Sequence, residues 1–154
     1  MTHFFTHNRG FTLIELVVTM VLIGIMAAVA LPRFFDATAF HSRGFYDEVI
    51  QAARYGQKFA VASGCDVELR ISGGSFALHQ RADSCTSGAF TRAVPHPAGS
   101  DAFAGSAPSG VILTATKSSI VFDSLGRATP SGATVSVDAR SFTIVGESGY
   151  VDGL

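Results

Sequence analysis

The stretch Gly10-Phe11-Thr12-Leu13-Ile14-Glu15-Leu16-Val17-Val18, continuing as an almost unbroken apolar run to Leu31 before Pro32, decides how the rest of the chain is read. From Phe11 to Leu31 there are roughly twenty residues, enough at ~1.5 Å of rise per residue to cross a ~30 Å hydrocarbon layer as one helix. A single ionisable side chain, Glu15, interrupts the run near its N-terminal end. A carboxylate in such a segment costs on the order of 3 kcal/mol at a bilayer centre and less near an end, so it calls for a partner or a function. The plain alternative is an ordinary signal anchor whose Glu15 reaches back to the interface.

A secretory signal places positive charge first, then a short apolar segment, then a small-residue cleavage site at the far end. Here the polar leader Met1 to Arg9 ends in Gly10, and Val29-Ala30-Leu31-Pro32 is a poor cleavage site. Cutting ahead of the run would instead leave the helix attached to the mature protein.

Arg9-Gly10-Phe11-Thr12-Leu13-Ile14-Glu15 resembles the processing motif of type IV prepilins and of the pilin-like proteins of type II secretion. The resemblance implies that prepilin peptidase cuts between Gly10 and Phe11 and that the new amine on Phe11 is methylated. It also implies that Glu15 pairs with the terminal amine of a neighbouring subunit during fibre assembly. That role suits the energetics, because a carboxylate in an apolar medium needs a cation and a neighbour's amine supplies one. The implied partners are prepilin peptidase, other major or minor pilins or pseudopilins, inner-membrane lipid and the assembly platform protein.

At 154 residues the chain can hold one modest domain and an anchor helix. Of 11 Lys and Arg against 12 Asp and Glu, the leader holds Arg9 and no acid, so its removal leaves no basic surplus to attract nucleic acid. Arg9, His3, His7 and the amino terminus precede the run and bias the N-terminus to the cytoplasm, with the C-terminal bulk in the periplasm. Cys65 and Cys85 suit that oxidising compartment.

Beyond Pro32, where a bend is expected, Phe45, Val49, Ala52 or Ala53, Gly56 and Phe59 recur at spacings of three and four, with Asp47, Glu48, Arg54 and Lys58 on other faces. This amphipathic helix, loosened at Gly44, should stop at Ser63-Gly64. Of the phenylalanines Phe34, Phe35, Phe40, Phe45 and Phe59, core packing against a sheet is expected, with the first two or three instead contacting neighbouring helices in a fibre.

After Gly64 the period changes to two. Val67, Leu69 and Ile71 alternate with Asp66, Glu68 and Arg70, a strand with one buried face. Ser72-Gly73-Gly74-Ser75 signals a tight hairpin into the returning strand Phe76 to Gln80. Cys65 and Cys85 flank the ends of that hairpin, where a disulfide is geometrically open to them; the alternative is two unlinked buried thiols. From Thr86 to Gly110 the composition turns to Gly, Ala, Ser and Pro, and a long irregular loop is expected, with Phe90 and Phe103 tucked back onto the domain. Strands are expected again over Val111 to Ala115, Ser119 to Asp123, Ala133 to Asp138, Ser141 to Val145 and Tyr150-Val151.

Phe122-Asp123-Ser124-Leu125-Gly126-Arg127 and the segment Phe142 to Val151 resemble the C-terminal pattern of H-type minor pseudopilins and FimT-like pilins. The segment Ala53 to Cys65 resembles a minor pilin of the mannose-sensitive haemagglutinin (MSHA) pilus, with Gly56 standing where Ala is expected and softening the helix. The resemblance implies an α+β type IV pilin fold, a long N-terminal helix with an antiparallel β-rich C-terminal head. The expected divisions are a cleaved leader 1–10, a transmembrane and assembly helix 11–32, an amphipathic stem 33–63 and a periplasmic head 64–154.

No G-x-S-x-G, Walker loop or G-x-G-x-x-G is present to position a catalytic group. Cys65, His79, Cys85 and His96 lack the short ligand pairs of a zinc site. The chain reads as a structural subunit with neither cofactor nor metal. The readings carried forward are a minor pilin of an MSHA-type pilus, the corresponding minor pseudopilin of type II secretion and a DNA-capturing minor pilin. Against the last, Lys117, Arg127 and Arg140 face Asp123, Asp138, Glu147 and Asp152 in the C-terminal part, so a basic surface is lacking there.

Overall fold

Two helices of opposite character begin the chain. In this computed structural model residues 10–34, 37–99 and 101–153 are described, the backbone alone for 29–34 and 37. The leader Met1 to Arg9 and Phe35 lie outside the described residues, as do the side chains of Pro32 and Phe34. The chain forms two compact units, Met1–Ala37 and Thr38–Leu154.

The first unit is helix α1 (Leu13–Phe34), apolar on every side rather than striped and helical in backbone through Pro32. The second unit is the head, whose helix α2 (Ala37–Ser63) begins one residue before it. Phe45, Val49, Ala52, Ala53 and Ala60 are buried along α2 at helical spacing, whereas Asp47, Arg54 and Lys58 are exposed. The helix ends as the sequence predicts: Ser63 is its last residue, and Gly64 takes the left-handed conformation that releases the chain into a strand. It is unbroken at both Gly44 and Gly56.

Among the described residues ten strands follow: β1 (Val67–Ser72), β2 (Ser75–Arg81), β3 (Phe90–Ala93), β4 (Ala104–Ser106), β5 (Leu113–Ala115), β6 (Ser119–Phe122), β7 (Ala128–Thr129), β8 (Ala133–Val137), β9 (Arg140–Ile144) and β10 (Val151–Asp152). One sheet runs β3-β2-β1-β6-β7, with β4 also on β2; the other runs β10-β9-β8-β5, and the pairings are antiparallel. The β1–β2 register pairs Ser72 with Ser75, leaving Gly73 and Gly74 as a two-residue turn with φ of 57° and 77°. Both φ values are positive, as a type I′ turn demands and as two glycines accept without strain.

The core lies between α2 and the two sheets. The Phe45 ring meets Phe76 of the first sheet at 6.0 Å between centroids, and the Tyr46 ring meets Phe142 of the second at 6.0 Å. Adjacent residues of one helix thus face different sheets. A methyl group at position 56 would stand 2.9 Å from Leu78 Cδ2 and 3.6 Å from the Phe122 ring. Gly56 therefore lets α2 settle closely on the first sheet, which corrects the expectation that it softens the helix.

Two further expectations are corrected. The segment 86–110 is not an irregular loop: β3 pairs with β2 from His79 to Arg81, β4 pairs with β2 from Ser75 to Ala77, and Pro95 bridges to Ala102 between them. Short edge strands that borrow their register from a longer partner leave almost no periodic signal. Val94 and Phe103 seal this edge from inside. Glu68, expected on an exposed face, is only 5% exposed, held by Arg70 at 2.6 Å and by the Ser119 hydroxyl at 2.5 Å.

Candidate functional site

The N-terminal site occupies the coil before α1 and its first turn. Gly10 and Phe11 precede the helix, and Phe11 is 79% exposed. Among the described residues nothing lies within 4 Å of where a side chain on Gly10 would begin. Thr12 caps α1: its Oγ1 accepts the Glu15 amide hydrogen at 3.3 Å and its carbonyl accepts that of Leu16 at 3.2 Å. Thr12-Leu13-Ile14-Glu15 has the T-x-x-E form of a capping box, a local signal that the sequence carries inside the apolar run.

Glu15 sits in the first turn, where the positive end of the helix dipole favours a carboxylate. Thr19 donates its hydroxyl to the Leu16 carbonyl at 2.8 Å and so satisfies itself within the helix. No ion pair among the described residues includes Glu15. Leu13, Ile14, Leu16, Val17, Val18, Met20, Val21, Leu22, Ile23, Ile25 and Met26 are all exposed, on every face of the helix. A helix apolar all round has to be covered by lipid or by other apolar surfaces. Its side chains are described from Leu13 to Ala28, about 24 Å of axis at ~1.5 Å per residue. Among the described residues no helix is long and apolar enough to cross a membrane.

In the head, Cys65 and Cys85 are joined by a disulfide. Beside it Asp66 accepts from Arg81 Nε at 3.0 Å, Arg81 Nη1 donates to the Gly88 carbonyl at 2.9 Å, and the Arg81 guanidinium lies 4.2 Å from the Phe90 ring centroid. With both thiols in the disulfide they cannot serve as thiolate ligands, and no cluster of three metal-ligating side chains occurs among the described residues. His79 is half-buried with Nδ1 unpartnered; burial, and then the Arg70 charge, hold its imidazole below the ordinary range against the opposing pull of Glu68.

The segments Phe122–Arg127 and Phe142–Val151 each hold a turn that is fastened to α2. Gln57 Nε2 donates to the Ser148 carbonyl at 2.7 Å and to the Gly126 carbonyl at 3.3 Å, tying two turns to one helical side chain. Asp123 organises the first of them by accepting from the Leu125 and Arg127 amides, each at 2.9 Å, and from Arg127 Nε at 2.8 Å. Burial pushes that carboxyl upward, but the hydrogen bonds from Arg127 and Leu125 outweigh it and hold Asp123 below the usual carboxylate range. Gln57 carried no sequence signal, since its role depends on two loops distant along the chain.

Residues 5–31 match the family model for the prokaryotic N-terminal methylation motif. The chain is 50% identical over 56 residues to the type IV major pilin protein PilE1 of Neisseria gonorrhoeae, a match covering 36% of this chain and 32% of that protein. It is 42% identical over 55 residues to the type IV narrow pilus major component PilA5 of Thermus thermophilus, covering 36% of this chain and 46% of that one. The matches thus span less than half the length of these curated relatives. Among solved structures, the type IV minor pilin FimU of Pseudomonas aeruginosa superposes with a TM-score of 0.52 at 12% identity, over 70% of this chain and 84% of that one. The minor pseudopilin EpsH of the Vibrio cholerae type 2 secretion system gives 0.48 at 14% identity, over 75% and 94%. The chain thus carries a prokaryotic N-terminal methylation motif at residues 5–31 and shares its fold with the type IV minor pilin FimU.

Proposed function

We propose that the chain is a minor subunit of a type IV pilus of the MSHA kind, cut by prepilin peptidase after Gly10 and methylated on Phe11. It is held in the inner membrane by Phe11 to Pro32, with its amino end in the cytoplasm and the head in the periplasm, until it enters or caps the fibre. The observation that carries this reading is a helix exposed and apolar on every side, with one carboxylate in its first turn behind the Gly10–Phe11 junction.

Moving such a helix from lipid into a bundle of similar helices brings little hydrophobic gain, since acyl chains and leucines are comparably apolar. A charge contact in a medium of low dielectric is directional where apolar packing is not. Glu15 meeting the amine of a neighbouring subunit therefore sets the axial register, and Pro32 accommodates the change from anchor to stem. The Thr12 cap keeps the first turn formed while the carboxylate is directed outward.

The test pairs Glu15→Gln and Glu15→Val with intact-mass measurement of native protein. Both variants should insert in the membrane and lose residues 1–10 as the parent does, yet be missing from sheared fibres. Full recovery in fibres rejects the role of Glu15, and a native mass that includes Met1 to Arg9 in working filaments rejects the whole reading. The second reading, an H-type minor pseudopilin, is favoured by the turns that Asp123 and Gln57 fasten, because they lie in the two stretches that resemble that group. Neighbouring pilus or secretion genes separate the two.

A further inference from the structure

Within the head, the first turns of α2 and the β8–β9 turn enclose an open groove of about 400 Å³ lined by Phe40, Ser42, Arg43, Asp138 and Arg140. Phe40 is 79% exposed and places an aromatic ring at the groove. The one acid in the groove is already committed: Asp138 Oδ2 accepts from the Ser42 hydroxyl at 2.5 Å and Oδ1 from the Ile112 amide at 2.9 Å. Neither Arg43 nor Arg140 belongs to an ion pair among the described residues. The Arg140 guanidinium lies 5.9 Å from the Tyr46 ring centroid, which stations it beside the groove. Two guanidinium groups against the single Asp138 carboxylate leave the groove lining with a net positive charge, and with an exposed aromatic ring beside them they match a ligand that is anionic at one end and apolar at the other.

We propose that this groove holds the headgroup of an anionic phospholipid while the subunit waits in the membrane. The proposal rests on the anchor reading above. Phe40 stands nine positions beyond Leu31, the end of the apolar run, and a chain of that length spans at most about 32 Å however it is arranged. The phosphodiester lies against Arg43 and Arg140, and the Phe40 ring meets the glycerol and upper acyl region. The headgroup contact biases the head to one orientation before extraction and is surrendered when the subunit leaves the bilayer.

The sequence contains no tryptophan, so Phe40→Trp in the full chain gives a single reporter at the groove. That protein is reconstituted into vesicles of phosphatidylcholine alone and of phosphatidylcholine with phosphatidylglycerol, and flotation checks that it inserts. The emission of the introduced indole should shift to the blue and resist aqueous acrylamide only where phosphatidylglycerol is present. Arg43→Gln or Arg140→Gln should each raise the phosphatidylglycerol fraction needed for half of that shift about fivefold. Equal emission in both lipids, or a shift that survives loss of both arginines, overturns the proposal while leaving the anchor reading intact. A shift that follows the protein density in the vesicle and not the lipid charge marks a contact between copies and also overturns it. Failure to float removes the anchor reading and this proposal with it.

Discussion

Helices α1 and α2 are of comparable length, 22 and 27 residues, yet the large side chains of α1 are exposed on every face while α2 buries one stripe under two sheets. The contrast shows two ways in which apolar surface is handled. In α2 the stripe finds its cover in the same chain, so its residues answer to shape: Gly56 for closeness, Phe45 for one sheet, Tyr46 for the other. In α1 the described large side chains are exposed all round, and no single stripe is picked out along the helix. The exceptions stand at its start, where Thr12 caps the first turn and Glu15 meets the positive end of the helix dipole.

The comparison predicts that changes in the head act on stability and leave leader removal alone. Truncating the fully buried Phe122 to alanine should have the largest effect, about 3–5 kcal/mol, read as a lower denaturation midpoint of the full chain in detergent. Leader cleavage measured by mass should be unchanged; loss of cutting in Phe122→Ala would break the separation. Replacing Cys65 and Cys85 together by serine should cost roughly 3 kcal/mol in the chain-entropy model for this 20-residue separation. A reducing agent should lower the parent's midpoint by a similar amount and leave the double variant unmoved.

Smaller effects sharpen the contrast at the level of single contacts. Gln57→Ala removes two donations to backbone carbonyls and should cost about 1 kcal/mol, with amide exchange quickening in the two turns it fastens. The smallest effect is a matter of pH. Asp123 is held below its ordinary range in the folded chain, so its contribution is complete above the unfolded value of about 3.9 and is lost as pH falls through the folded value. Asp123→Asn should therefore lower the midpoint at neutral pH and flatten its decline below about pH 4, whereas Glu15→Gln should leave the head's acid limb as it was.

Features set by neighbours along the chain were legible. Gly64 stops α2 because a left-handed residue cannot continue the helix, and Gly73-Gly74 makes the hairpin because both turn positions need positive φ. The alternation of Val67, Leu69 and Ile71 gave the inward face of β1. Glu68 defeated the same rule because its cover comes from Ser119, fifty-one positions away, and from an arginine that folds back over it. The segment 86–110 was opaque because β3 and β4 exist only as additions to β2.

By itself the sequence determined the all-round apolar helix, the motif at its start, the stripe of α2 and the first hairpin. Periodicity, φ preference and capping are properties of residues within a few positions of one another. Tertiary structure alone decided that β6 pairs with the distant β1 as well as with its neighbour β7, that one face of α2 serves two sheets, and that Gln57 and Asp138 tie distant turns to α2. Those choices follow from how surfaces far apart in the chain fit together, and that information resides in the assembled shapes and in no single stretch of residues.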